Sequence, residues 1–287
     1  MEKAILQTLI YADIFDYPLK AWEIHKWLLK KKCNLTDVEQ ALSRLLNKKK
    51  ISQKKGFYVL RNRTKLIDLR IDKKSASEEY LRSAKFISRL FKVIPWIRLV
   101  GISGDLSMEN ATKESDIDLF IITQKKRLWL SRLSVLVILS LLEKRRRKSD
   151  SAKRAAGKFC LNLLVEENQL EQSRKDLYTA HEVLQMKPLW ERNKVYTAFL
   201  QKNEWAFDYI PNWLTGMLAD SKNNYPFNQG SRIIGWVESF VRFMQLRYMG
   251  YKPTAERISS VAVYFHPDDM QPKVLVEFEK RSKKYLK

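Results

Sequence analysis

Cysteine is nearly absent from this chain. Cys33 and Cys160 are the only two in 287 residues, and they lie far apart with no metal-ligand spacing and nothing resembling a disulfide framework. The expectation is a reducing cytoplasm and no disulfide-linked partner. Histidine is almost as scarce. His25 and His266 stand far from any partner motif, and His181-Glu182 is followed at the fourth position by Gln185, so the H-E-x-x-H ligand spacing is missing. His181 reads as a packed or capped side chain. There is no P-loop, dinucleotide fingerprint, serine-hydrolase elbow or internal repeat. Long apolar runs are missing too: the longest, Leu128 to Leu142, contains Arg132 and falls short of the roughly 20 residues a membrane span needs. It reads as a helix buried against a sheet, and no membrane partner is expected. The opening MEKAILQTLIYADIFDY carries acidic residues on an amphipathic pattern and is not a secretory signal.

Negative charge is also in short supply. Against 54 Lys and Arg stand 32 Asp and Glu, a formal net charge of +22, which makes polyanions such as RNA or DNA favoured partners. The plainer reading is that runs such as Lys30 to Lys32 and Lys48 to Lys50 solvate helix ends, where positive charge also suits the macrodipole. The apolar content of 45% supplies at least one substantial core, and the length suggests about two domains.

Residues 1 to about 60 follow a pattern of their own. Ile5, Leu6, Leu9 and Ile10 recur at helical spacing, as do Trp22, Ile24, Trp27 and Leu28, with Pro18 between the two sets. Thr36 to Glu39 has the form of a capping box ahead of Val38, Ala41, Leu42, Leu45 and Leu46 on one face. Ile51 to Gln53 and Phe57 to Leu60 flank Lys54-Lys55-Gly56 as a β-hairpin. Three helices and a basic hairpin resemble a winged-helix domain. In that fold the third helix would offer Gln40, Ser43, Arg44 and Asn47 to DNA, and the wing would set Lys54 and Lys55 on the phosphate backbone. Packing or protein contact is the alternative use. A further helix carries Tyr80, Leu81, Ala84, Phe86, Ile87, Leu90 and Phe91 and stops at Pro95.

The stretch from Ile97 to Thr123, IRLVGISGDLSMENATKESDIDLFIIT, reads as an apolar strand, a glycine turn, a polar loop and a second apolar strand headed by two aspartates. Alternation puts Asp116 and Asp118 on one face, roughly 6 to 7 Å apart along the backbone. Two like charges beside Leu119, Phe120, Ile121 and Ile122 repel and are poorly solvated unless a cation or strong donors satisfy them. Paired carboxylates suit Mg2+ or Mn2+, with substrate phosphates completing the shell. The turn Ser103-Gly104-Asp105 lets backbone approach a phosphate, and a helix from Leu106 onward would point free N–H groups at the anion.

An apolar strand, Gly104 followed by a polar residue, about ten residues, then Asp116-Ile117-Asp118 in a second apolar strand resembles the signature of the DNA polymerase β-like nucleotidyltransferase superfamily. The likeness covers about 70 residues. It implies metal-dependent transfer of a nucleoside monophosphate from a nucleoside triphosphate to an acceptor hydroxyl, with release of pyrophosphate. Carried onto this sequence it makes Asp116 and Asp118 metal-binding and catalytic, and Ser103, Gly104, Asp105 and Ser115 nucleotide-binding. Two positions depart from the family: Asp105 stands where serine is usual, and the third carboxylate, sought on the later strand Lys158 to Val165, is met only by Asn162. An amide orients a water or a sugar but accepts no proton.

Between these strands lies the densest positive run, Lys144-Arg145-Arg146-Arg147-Lys148, followed by Lys153, Arg154 and Lys158. Its Ser, Ala and Gly content predicts mobility, and Arg145, Arg146 and Arg147 are candidates to hold a triphosphate or an RNA acceptor. The last third reads as mostly helical, with Trp190, Phe199, Trp205, Phe207, Trp213, Trp236, Phe240, Phe243 and Tyr248 as packing aromatics. The expected architecture is α+β: a winged-helix-like domain over 1–70, a nucleotidyltransferase-like domain with a small mixed sheet over 71–175, and a helical domain over 176–287. The alternatives are a transferase acting on a small molecule or protein, and a catalytically impaired relative that binds nucleic acid through the winged helix.

Overall fold

The computed structural model describes residues 1–147, 149–213, 232–249, 257–258, 262–264 and 269–286; Lys148 and His266 lie outside them. The chain begins with α1 (Glu2–Ile14), β1 (Leu19–Lys20), α2 (Ala21–Lys26), α3 (Leu35–Asn47), β2 (Ile51–Lys54) and β3 (Phe57–Leu60), whose strands form a sheet in the order β1-β3-β2. In α3, Val38, Ala41, Leu42 and Leu45 are all buried while Gln40, Ser43, Arg44 and Asn47 face solvent. The helix starts before the expected capping box. Asn34, in extended backbone, accepts a hydrogen bond from Asp37 N at 2.9 Å, filling the N-cap role that its short amide suits. The β2–β3 turn is Lys55-Gly56, both with positive φ, the two-residue geometry whose twist matches a hairpin.

A single 26-residue helix, α4 (Lys65–Leu90), connects this unit to the rest. At its start the buried Arg70 stacks 3.4 Å above the Tyr17 ring and meets Glu23 of α2 at 2.9 Å. At its end Ala84, Ile87 and the following Phe91 enter the core beneath the main sheet. The boundary expected at residue 70 therefore lies inside an unbroken helix, because α4 has apolar anchors at both ends.

The main sheet contains β4 (Ile97–Ile102), β5 (Ile117–Thr123), β6 (Phe159–Glu166), β7 (Lys187–Glu191), β8 (Arg257–Ile258) and β9 (Ala262–Tyr264), in the order β7-β4-β5-β6-β9-β8. Among the described strands only the β5–β6 pair is parallel. A single helical turn, α5 (Gly104–Ser107), follows β4, and the β5-to-β6 crossover carries α6 (Leu128–Leu141) and α7 (Ala152–Ala155). The sheet is mixed, as expected, but it crosses the boundary at 175: β7, β8 and β9 all come from the last third. The signal for β7 was hidden by Pro188, which lacks an N–H and is tolerated here because β7 is the last strand on its side.

The last third adds α8 (Leu177–Gln185), α9 (Val195–Lys202), α10 (Ala206–Tyr209), α11 (Arg232–Met249) and α12 (Met270–Tyr285). Helix α12 returns to pack on α1 and α8, and Arg281 pairs with both Asp13 and Glu277. Helix α11 lies on α6, where Glu238 accepts hydrogen bonds from the N–H groups of Trp129 (2.7 Å) and Leu130 (3.0 Å), supplying the acceptor the α6 terminus needs. Two expectations are corrected here. Helix α6 is not buried all round: Leu133, Val137 and Leu141 are exposed. Phe199 and Phe207 are core, but Trp236, Phe240, Phe243 and Tyr248 of α11 stand out from the described residues, with Tyr248 84% exposed.

Candidate metal and nucleotide site

Asp116 immediately precedes β5 and Asp118 is its second residue, and the two project together as the strand alternation requires. One ligand atom from each, with Cys160 Sγ of β6, lie within 4.8 Å of one another. This triad of two carboxylates and a thiol is the set among the described residues that could hold a metal ion. Asp116 Oδ2 has no hydrogen-bond donor of its own.

At the third position the structure adds Cys160 to the residues read from the sequence. Parallel pairing places Cys160 opposite Asp118, and a register shift between Leu119 and Phe120 puts Asn162 in a bulge. Asn162 is buried and donates from Nδ2 to Ser103 Oγ at 3.1 Å. Through that bond it braces the turn. The alternation of β6 was the available signal: an aspartate at the head of one strand meets the head, not the middle, of its parallel neighbour.

The glycine turn is built around Asp118. Ser103 N donates to Asp118 O at 3.0 Å. Gly104 has φ +60°, and a Cβ there would stand 2.6 Å from Asp118 Oδ2, so both the backbone region and the close approach demand glycine. The helix expected from Leu106 is only the turn α5, in which Met108 N and Asn110 N are taken by Asp105 O. Ser115, expected near a nucleotide, lines the same cavity as the aspartates while its hydroxyl accepts from Thr112 N at 3.0 Å.

Burial governs the electrostatics. It pushes the Asp118 carboxyl well above the usual range, reinforced by Asp116 and Glu182. Burial, with the charges of Asp118 and Asp116, pushes the Cys160 thiol up to about 12. It also raises Asp105, where Asp116 adds to the effect and Lys73 opposes it. Glu182 of α8 rises to about 7 from burial and the Asp105 charge. His181 falls to about 3 through burial alone, stacked 4.0 Å from Tyr11 and 5.1 Å from Trp27 between ring centroids.

Among the candidate nucleic-acid cations, the side chains of Arg44, Lys54, Lys55 and Arg146 are paired locally, while Arg145 and Arg147 are held through their backbone. Arg146 lies 2.7 Å from Asp116 Oδ2, outside hydrogen-bond geometry, and 3.7 Å from Cys160 Sγ, so it belongs to the aspartate site. Arg145 bridges to Phe159 through backbone, and Arg147 N donates to Asp150. Arg44 pairs with Glu2 at 3.4 Å, and Lys54 and Lys55 both meet Asp68 at 2.9 Å. These pairs lie at the surface, where water screens them, and contribute little to stability.

Beside the aspartates opens a cavity of about 470 Å³. Its walls come from α1, α4, α5 and α8, so the N-terminal helices, the glycine turn and the last third all contribute. Tyr11, Lys73, Tyr178, His181 and Glu182 line it, and sequence reasoning missed all of them as site residues because only tertiary packing brings them to Asp118. The chain matches no protein-family model, no curated protein and no solved structure.

Proposed function

We propose that this chain is a metal-dependent nucleotidyltransferase of the DNA polymerase β-like type, with an N-terminal winged-helix-like domain. The observation that carries the reading is the meeting of Asp116, Asp118 and Cys160 beside the Gly104 turn. The first domain's element order, with β1 pairing β3, supports the winged-helix part.

The two carboxylate oxygens suit a divalent cation such as Mg2+ or Mn2+, whereas the neighbouring Cys160 thiol is a soft donor of the kind zinc-type ions prefer. When bound, that ion would neutralise the phosphates of a nucleoside triphosphate and charge developing during transfer. Gly104 gives the triphosphate room for close backbone approach, and Ser103, braced by Asn162, fixes the turn. In the transfer, an acceptor hydroxyl oxygen forms a bond to the α-phosphorus while the bond to the bridging oxygen of the β-phosphate breaks. Pyrophosphate leaves with the electron pair. The hydroxyl proton passes to Glu182, whose elevated affinity for protons suits a general base near neutral pH.

A second reading has one observation in its favour. Arg146 already neutralises Asp116, as expected of a transferase-like domain that has lost its metal and serves a nucleic-acid-binding winged helix. The two separate on incubation with α-labelled nucleoside triphosphates, Mg2+ or Mn2+, and cellular RNA, protein and metabolite fractions. Label moving to one fraction, and lost in Asp118→Asn, supports the transferase; no transfer to any fraction contradicts it.

A further inference from the structure

The charge around the cavity is opposite to that of the molecule. Its charged lining is Asp16, Asp105, Asp116, Asp118 and Glu182 against the single lysine Lys73, in a chain of net charge +22. Asp16 is matched by Arg63 at 2.5 Å and Asp116 by Arg146. Asp105 and Glu182 have no ion-pair partner among the described residues, and Lys73 Nζ donates to Asn110 Oδ1 at 3.1 Å. Asp105 is exposed and Glu182 is half-buried, with Gln185 Nε2 donating to it, so both present carboxylate oxygens to the cavity with no neutralising cation and favour a cationic ligand.

Two further features describe the shape and chemistry of that cation. Tyr11, Phe15, Tyr17, Trp27 and Tyr178 also line the cavity, giving it flat apolar surfaces that favour a ring and a cation together. His181 lines it as well, is 93% buried by its 7% exposure, and its Nε2 has no hydrogen-bond partner. A buried ring nitrogen left open is unusual and marks a place for a ligand's polar group. The volume is that of a small-molecule site, and its negative lining repels a nucleic-acid backbone.

We infer that the acceptor is a small hydroxyl compound carrying an ammonium group and a flat ring, its ammonium against Asp105 within the field of Glu182, its ring among Tyr11, Phe15 and Tyr178, and its polar edge at His181 Nε2. This assignment rests on the transferase reading for the word acceptor, but the binding itself does not.

Three probes of one shape separate the outcomes: tyramine (cationic), tyrosol (neutral) and 4-hydroxyphenylacetate (anionic), titrated calorimetrically into the full chain. Tyramine should bind at least tenfold more tightly than tyrosol, with the anion weakest. Asp105→Asn should remove that preference, and His181→Phe should weaken both tyramine and tyrosol. Circular dichroism and thermal unfolding confirm that each variant is folded. Equal binding of the three probes, preference for the anion, no tyramine binding, or displacement of tyramine by a short RNA would overturn the inference. Manganese–nucleotide binding measured in the same samples reports on the transferase reading separately: its presence without tyramine selectivity sinks the acceptor assignment alone.

Discussion

Cys160 lies in register beside Asp118 across the parallel strands β5 and β6, and its sulfur closes the triad with the two aspartates. The thiol holds its proton tightly, since burial and two neighbouring carboxylates push it up to about 12. A divalent metal reverses that balance by stabilising the thiolate.

Without metal, Cys160 should therefore resist alkylation by iodoacetamide at pH 8, because the thiolate is the nucleophile. Addition of Cd2+ or Co2+ should produce a thiolate charge-transfer absorption that is missing in Cys160→Ser and retained in Cys33→Ser. A band that survives Cys160→Ser would remove sulfur from the ligand set.

The buried pair Arg70–Glu23 fixes α4 against the N-terminal helices. Burial dominates at both ends: it lowers Arg70 to about 10 and raises Glu23, so desolvation outweighs the mutual attraction at 2.9 Å. The pair positions α4 rather than adding net stability. Glu23→Leu, which strands the guanidinium, should cost about 3 to 5 kcal/mol in denaturant unfolding, whereas Glu23→Leu with Arg70→Met should recover most of that loss. A double variant as unstable as the single would show the pair to be stabilising.

How far the sequence discloses this molecule depends on how local each signal is. Helix α3, the Lys55-Gly56 hairpin and the paired aspartates rest on periodicity and turn chemistry within a few residues, and they are where the pattern puts them. Strand β7 was not legible because Pro188 masks it, and the site role of Glu182 was not legible because α8 reaches Asp118 only through packing. Asn162 is legible by its polarity within an apolar strand, whereas Cys160 comes beside Asp118 only through a strand register that no local pattern reveals. Arg146 reads from the sequence as one of three arginines for a triphosphate or an RNA acceptor, and nothing in its neighbours foretells its pairing with Asp116.

Burial of His181 has a pH signature. Its protonation point falls from about 6.5 in the unfolded chain to about 3 in the folded one, so the unfolded state takes up a proton that the folded state refuses. The stabilisation is complete above pH 6.5 and is lost as pH falls toward 3, by about 1.4 kcal/mol per unit. Glu182 acts in the opposite sense: raised to about 7, it binds its proton more readily when folded, so stability from this group falls as pH rises from about 4.5 to 7. The informative quantity is the difference between wild type and His181→Phe in unfolding free energy from pH 7 to pH 4. Wild type should lose stability relative to the variant on acidification; parallel profiles would mean His181 is solvated.

The central claim is a metal–nucleotide site at the head of β5, and Mn2+ binding followed by electron paramagnetic resonance tests it most directly, with and without a non-hydrolysable nucleoside triphosphate. Wild type should bind Mn2+ more tightly when the nucleotide is present, and Asp116→Asn and Asp118→Asn should each weaken binding at least tenfold while unfolding cooperatively. Unchanged Mn2+ affinity in both folded variants, or no nucleotide-dependent binding by the wild type, would contradict it.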